Sequence, residues 1–304
     1  MSERPYLSII LPMYNEAESI TAVLHHLVAE MAHHLPEVMY EILVVDDGSS
    51  DGSAERVTAV ADDHITLIQH PYNIGNGAAV KSGIRRAKGR YVLMMDADGQ
   101  HKPADIPRLL EHVPRHDMVV GARTRESESA RHRDLANMIY NLFASYVCER
   151  PIDDLTSGFR LIRAELAKSL VYLLPNTFSY PTTITLAVVR GGYSLKYVPI
   201  VAHKRVGKSK IKLFRDGSRF LMIILKIATL YSPMKVFLPV SVLLFATGFF
   251  YGLFKVLFLN TRYGPTSAML MTISIVVFMV GLVSEQVAQL RYIRSDTADY
   301  EQEL

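Results

Sequence analysis

Two long apolar runs near the C-terminus constrain this chain more than any other feature. Val236 to Leu259 carries one charge, Lys255, and Thr266 to Val283 carries none. A helix crossing a bilayer needs roughly 20 apolar residues. Both runs are apolar all round rather than along one stripe, which favours lipid over a buried pair of core helices. Pro239 and several glycines are tolerated in such spans. The connection Asn260 to Pro265 is short, so the two runs form a hairpin. Before them, Ile211 to Tyr231 mixes Phe214, Phe220, Leu221, Ile224, Ile227 and Leu230 with basic residues. That pattern predicts one or two amphipathic helices in the membrane interface, with a surface helix packed on a sheet as the plainer alternative.

Charge supplies an orientation. Lys208, Lys210, Lys212, Arg215, Arg219 and Lys226 are opposed only by Asp216, and Arg291 and Arg294 follow the second run. Basic flanks on both sides predict an integral membrane protein with both termini in the cytoplasm, in the plasma (inner) membrane. The expected division is residues 1–210 as a globular domain, 211–232 as the juxtamembrane segment, 233–290 as two spans and 291–304 as a cytoplasmic tail. So thin an anchor is compatible with a homo-oligomer. The net charge of +3 makes no case for a nucleic-acid partner.

The globular portion alternates short apolar runs with helical spacing. Strands are expected at Leu7 to Leu11, Glu41 to Val45, Ile65 to Ile68, Tyr91 to Met95 and Met118 to Val120. Helices are expected at Ala17 to His33, Ala78 to Ala87 and Ile106 to His112. Such alternation predicts an α/β fold with a mostly parallel sheet, whose ligands sit at the carboxyl ends of the strands. The one cysteine, Cys148, cannot form a disulfide within the chain, and no thiolate-activating motif surrounds it. Met1 to Pro12 lacks the apolar core of a signal peptide.

Polar clusters fall where the strands end. Met94-Met95-Asp96-Ala97-Asp98-Gly99-Gln100-His101 follows a buried-strand pattern. Two carboxylates one residue apart, with the Gln100 amide oxygen next, suit Mg2+ or Mn2+, hard cations that take oxygen ligands and substrate phosphates. In Leu11-Pro12-Met13-Tyr14-Asn15-Glu16, Pro12 ends a strand and Asn15 is placed to cap the next helix. Tyr14 can stack near a base, and Glu16 can reach a ribose. In Val45-Asp46-Asp47-Gly48-Ser49-Ser50-Asp51-Gly52-Ser53, Asp46 and Asp47 are expected to accept hydrogen bonds from a base or ribose, whereas Asp51 or Ser53 caps a helix. Gly75-Asn76-Gly77 is no dinucleotide fingerprint, because Val80 stands where the third glycine belongs, so these glycines are expected to permit a turn and close packing.

Taken in order, Pro12-Met13-Tyr14-Asn15-Glu16, Val45-Asp46-Asp47-Gly48-Ser49, Asn73-Ile74-Gly75-Asn76-Gly77-Ala78-Ala79 and Asp96-Ala97-Asp98-Gly99-Gln100-His101 resemble family 2 glycosyltransferases of the GT-A fold. Asp154-Leu155-Thr156-Ser157-Gly158-Phe159-Arg160 and Arg205-Val206-Gly207-Lys208-Ser209-Lys210 are similar to the dolichol-phosphate mannose synthase and polyprenyl-phosphate glycosyltransferase branch, as is the hairpin. The resemblance implies that Pro12, Tyr14, Glu16, Asp46, Asp47 and Gly75 line the nucleotide pocket and that Asp96, Asp98 and Gln100 hold the metal. It implies that Arg123 faces the donor phosphates, and that Arg205, Lys208, Lys210 and either Arg131 or Arg133 meet a phosphate. The expected catalytic residues are Asp98, Arg123, Arg205 and Asp154, the last by orienting the acceptor loop, and Ser157 is expected to bind substrate. Where many relatives carry a basic residue, this chain has Asn76.

The activity so implied is inverting, metal-dependent transfer of a sugar from a nucleoside-diphosphate sugar to a polyprenyl phosphate, either dolichyl or undecaprenyl. A processive polysaccharide synthase of the same fold is the alternative, but the chain has no tryptophan for that group's Gln-x-x-Arg-Trp motif. A non-catalytic scaffold that binds nucleotide sugars is the other alternative, and an intact Asp-x-Asp pair argues against it.

Overall fold

The computed structural model describes residues 4–124, 131–202, isolated positions between 222 and 229, and 232–300; side chains at 131–137, 139 and 290–300 fall outside the description. The interfacial segment expected at 211–231, apart from those isolated positions, and Arg205, Lys208 and Lys210 therefore lie outside the described residues. The chain divides into two compact units, Met1–Phe220 and Leu221–Leu304.

In the first unit, β1 (Leu7–Met13), β2 (Tyr40–Asp46), β3 (Ile65–Gln69), β4 (Tyr91–Met94), β5 (Met118–Arg123), β6 (Arg160–Arg163) and β7 (Leu195–Ile200) form one sheet in the order β3-β2-β1-β4-β6-β5-β7. Its first four strands are mutually parallel. β6 runs antiparallel to both β4 and β5, and β7 returns parallel to β5. The sheet is thus mostly parallel with one reversed strand, at β6.

Side chains alternate across a strand, so a strand buried on both faces supplies two cores. β1 is buried along its whole length. Leu7, Ile9, Leu11 and Met13 pack with Leu24, Leu27 and Met31 of α1 (Ile20–His34). On the opposite face, Ile10 packs with Ala79, Val80 and Ile84 of α3 (Asn76–Arg86) and Ile184 of α7 (Tyr180–Arg190). Between these lie α2 (Ser53–Val60), α4 (Ile106–Leu110), α5 (Arg131–Cys148) and α6 (Ala164–Leu170). Cys148 is buried and unbridged.

α1 begins at Ile20, later than the pattern of apolar residues from Ala17 predicts. Asn15 does not cap it. That residue adopts a left-handed backbone with φ of 52°, and its side chain accepts a hydrogen bond from the Ser50 amide at 2.9 Å. The competing interaction is a loop-to-loop stitch, which an isolated strand-to-helix reading misses.

The second unit contains two helices, Met234–Phe258 and Pro265–Tyr300. Each holds a 25-residue apolar stretch long enough to cross a bilayer. The helices lie against one another at small residues. A Cβ on Gly248 would come within 2.9 Å of Leu270, and one on Gly281 within 2.7 Å of Phe237. Without side chains there, the backbones approach closely, as at helix contacts in lipid. Leu243, Phe250, Phe258 and Val283 face outward and are more than half exposed. The Glu285 carboxylate accepts a hydrogen bond from the Met234 amide at 3.2 Å, satisfying one of the orphan donors of the first helix.

Candidate active site

The carboxyl ends of β1, β2 and β4 lie side by side, because β1 is central to the parallel half of the sheet. Register places Met13 beside Asp46, and Met95 donates its amide to the Ile10 carbonyl at 3.1 Å. Three loops that are remote in sequence therefore open at one edge.

The first two loops are tied together. The Asn15 amide donates to Ser49 Oγ at 2.9 Å, the Glu16 amide to Ser53 Oγ at 2.9 Å and the Ala17 amide to Asp51 Oδ2 at 3.0 Å. Asp51 also accepts the Ser53 amide at 3.1 Å, so it does the work of a cap at the start of α2 while bridging to the other loop. Burial tends to raise the Asp51 carboxyl, but these hydrogen bonds outweigh it and hold the group below the usual carboxylate range. Tyr14 and Glu16 are half-buried, and Pro12 is buried.

Asp46 and Asp47 divide their tasks. Asp46 is 2% exposed, and its Oδ1 accepts the Ser49 amide at 3.0 Å. Asp47 accepts the Ile74 amide at 3.0 Å, the Gly75 amide at 2.7 Å and a contact from His70 Nδ1 at 2.7 Å. His70 Nε2 in turn meets Ser82 Oγ at 2.8 Å. Asp47 thus latches the 70–75 loop onto β2. Gly75, with φ of 124°, leaves room for the Asn176 carbonyl oxygen, which a Cβ would approach to 2.1 Å. Gly77 lies equally close under Pro175. The two glycines permit a turn and close packing, and the loop they pack under, Pro175 to Thr177, had no signal in the sequence.

At the end of β4, Asp96 is half-buried and Asp98 is 7% exposed. The chain turns sharply at Gly99, φ 75°, and the Gln100 amide donates to Asp98 Oδ1 at 3.2 Å. Ser19 Oγ, next to α1, donates to the Ala97 carbonyl at 3.1 Å and fixes the turn to the first loop. His101 stacks on Phe159, with ring centroids 5.2 Å apart. Burial lowers its pKa to about 4, against the pull of the Asp98 charge.

Among the described residues, no three His, Cys, Asp or Glu side chains gather as a complete metal shell. The carboxylates of Asp96 and Asp98 and the amide oxygen of Gln100, close in sequence after β4, are hard oxygen donors. That donor set fits Mg2+ or Mn2+, which usually keep places for water and substrate phosphate.

The mixed half of the sheet completes the edge. Arg123, last residue of β5, forks onto Asp154, with Nε to Oδ2 and Nη2 to Oδ1 both at 2.8 Å. Burial would raise the Asp154 carboxyl, but the hydrogen bonds and charge of Arg123 hold it below the usual range. Asp154 also accepts the Thr156 and Ser157 amides at 3.1 and 3.0 Å. Ser157 Oγ donates to the Gly121 carbonyl at 2.6 Å. Arg123 and Asp154 are thus brought together, and Ser157 joins their loop to β5. Arg131 and Arg133 open α5, and their side chains fall outside the description.

The pattern described as Glycosyl transferase family 2 matches residues 8–171, more than half of the chain. The chain belongs to glycosyl transferase family 2. A second pattern, the GtrB C-terminal hairpin, matches residues 232–290. An undecaprenyl-phosphate 4-deoxy-4-formamido-L-arabinose transferase of Yersinia pestis is 32% identical over 189 residues, 58% of this chain and 57% of that protein. A dolichyl-phosphate beta-glucosyltransferase of Trichomonas vaginalis is 32% identical over 229 residues, 68% of this chain and 66% of that protein. The matched part is therefore less than two thirds of the length of these curated relatives. Among solved structures, glucosyl-3-phosphoglycerate synthase from Mycobacterium tuberculosis, in complex with Mn2+, uridine-diphosphate-glucose and phosphoglyceric acid, matches with a TM-score of 0.59 at 18% identity, over 74% of this chain and 80% of that one. Mannosyl-3-phosphoglycerate synthase from Rubrobacter xylanophilus matches with a TM-score of 0.56 at 22% identity, over 74% of this chain and 73% of that one. These likenesses establish the fold.

The family 2 site has a residue that the sequence reading left without a role. Arg160 is completely buried. Its Nε donates to the Ser157 carbonyl at 3.0 Å, and its Nη1 donates to the Pro181 carbonyl at 2.8 Å and to Thr185 Oγ1 at 3.0 Å. The only available signal was its place at the end of Ser157-Gly158-Phe159-Arg160.

A cavity of about 1540 Å³ lies elsewhere. Tyr6, Lys88, Arg90, Tyr91 and Arg163 line it at the amino ends of β1 and β4, opposite the acidic edge.

Proposed function

We propose that this chain transfers a sugar from a nucleoside-diphosphate donor to the phosphate of a polyprenyl lipid at the cytoplasmic face of the membrane. The observation that carries the reading is the placement of Asp96 and Asp98 at the end of β4, beside the loops that follow β1 and β2, in a chain that also bears an apolar helical hairpin. The names of the Yersinia and Trichomonas relatives support an acceptor of the polyprenyl-phosphate class.

In this reading Tyr14, Glu16 and Asp46 hold the nucleoside, and Pro12 and Gly75 shape the pocket. Asp96, Asp98 and Gln100 hold Mg2+ or Mn2+. The bound ion supplies positive charge to a diphosphate that departs as an anion. The acceptor phosphate is already largely ionised near neutrality, with a second pKa of about 6, so it needs no strong base. The protein's task is then to align the reacting groups and exclude water. Attack from the face opposite the nucleotide inverts the anomeric centre. Arg123, fixed by Asp154, contributes a positive charge beside the acidic edge, and Arg205, Lys208, Lys210 and Arg131 or Arg133 receive phosphate oxygens. Arginine suits this because its planar fork binds such oxygens in pairs and keeps its charge.

The test is a panel of labelled nucleotide sugars offered to the full chain in detergent with Mn2+ and a polyprenyl phosphate. Label passing into chloroform-soluble lipid is the expected result. Folded protein that moves no label from any donor, and binds no nucleoside diphosphate with Mn2+ present, would overturn the reading.

A further inference from the structure

The segment Asp154 to Arg160 contacts the acidic edge at Gly158, which lies against Asp96. β4 and β6 are antiparallel with Met94 opposite Arg160, so two residues further along β4 and two residues back from β6 Asp96 meets Gly158. The contact is tight. A Cβ on Gly158 would fall 2.5 Å from Asp96 Oδ2 and 3.1 Å from its carboxyl carbon. The glycine is therefore the surface on which the Asp96 carboxylate is seated.

Arg160 helps to fix Gly158, alongside the Asp154 and Gly121 bonds to Ser157. Its guanidinium donates from Nε and Nη2 to the carbonyl of Ser157, the residue just before Gly158, and is braced from the far side by Pro181 and Thr185. These bonds go to neutral oxygens, yet a buried arginine keeps its charge. Leaving such a charge uncompensated is costly. The carboxylates whose fields reach it are Asp154 and Asp96.

We propose that Arg160, acting through the Ser157 carbonyl and Gly158, is a positioning residue for Asp96, setting the affinity of the acidic edge for a divalent cation without touching substrate. This rests on the reading of Asp96 as a metal ligand. It assigns the Ser157-Gly158-Phe159-Arg160 stretch a task on the metal side of the site, in addition to the Arg123 clamp made by Asp154. Groups that orient metal ligands typically change metal affinity by about 10- to 100-fold when altered.

The experiment is a titration of the purified full chain with Mn2+ alone, followed by loss of the free-ion electron paramagnetic resonance signal, with thermal unfolding measured in parallel. Gly158→Ala, Arg160→Lys and Thr185→Val are compared with the unaltered chain. Gly158→Ala displaces the seat directly and is expected to weaken Mn2+ uptake by about tenfold or more. Thr185→Val removes one brace from Arg160 and gives a smaller loss in the same direction. Arg160→Lys keeps the charge but not the fork, and is expected to retain only part of the affinity of the unaltered chain. The mild Thr185→Val decides the case if Arg160→Lys does not fold. Folded variants that take up Mn2+ as tightly as the unaltered chain would overturn the positioning role alone. An unaltered chain with no saturable Mn2+ uptake would instead overturn the metal reading, and this inference with it.

Discussion

In the parallel half of the sheet, β3-β2-β1-β4, the acidic residues sit in loops that open at the carboxyl edge. Asp46 and Asp98 each accept a backbone amide of their own turn. In the mixed half, β6-β5-β7, the charged residues bind one another or are sealed in: Arg123 forks onto Asp154, and Arg160 has no exposed surface. The contrast follows from strand direction. Parallel strands bring successive loops to one edge, where they can share a ligand. Reversing β6 sends its preceding turn into the same edge from the other side, so that turn supports the edge rather than extending it.

That contrast can be broken most directly at Asp98. Asp98→Ala should lower sugar transfer by about a thousandfold, as loss of a principal charge-stabilising group does, while thermal unfolding of the globular unit keeps its midpoint. A variant that loses stability but retains transfer would put Asp98 among the supporting residues instead. Gly75→Ala should have the next largest effect. A Cβ would strike the Asn176 carbonyl at 2.1 Å, on a backbone with φ of 124°. Strain of that kind costs about 1–3 kcal/mol, and denaturant unfolding together with the donor KM should register both the strain and the displaced loop.

Asp154→Asn tests the mixed half. It should cost about 2 kcal/mol in denaturant unfolding, the scale of a hydrogen bond to a charged group. The native Asp154 carboxyl lies below its unfolded value, about 3.9, so its contribution is present above that pH and fades as pH falls through the depressed native value. Stability curves of the unaltered chain and the variant should therefore converge in acid. Curves separated by a constant amount down to the lowest pH would show that the Arg123 clamp is not the source. The smallest effect is expected at Asp51→Ala, about 1 kcal/mol, the usual cost of a lost cap. Its transfer rate should change little if the stitch between the first two loops is structural, and a large drop in kcat with stability intact would move Asp51 into the ligand site.

The parallel half was more legible than the mixed half for a physical reason. Each of its strands is a short apolar run ended by a polar cluster, and β1 to β4 fall where those runs fall, as does β5 in the mixed half. β6 is four residues long, and β7, Leu195–Ile200, alternates buried and exposed residues between loops, so neither stands out from its surroundings. Asp47 carried the same local signal as Asp46, yet both its oxygens hold the 70–75 loop. No local pattern distinguishes a carboxylate facing a ligand from one facing a distant backbone amide.

The residue order alone determined the α/β character, the acidic pair at a strand end and the two apolar helices, because periodicity and hydropathy act over a few neighbours. Tertiary structure alone decided that β6 runs backwards, that Asn15 joins two loops instead of capping a helix, and that Gly158 touches Asp96. Those outcomes depend on which distant backbone groups arrive within hydrogen-bonding or van der Waals reach, and that is fixed only when the strands pair.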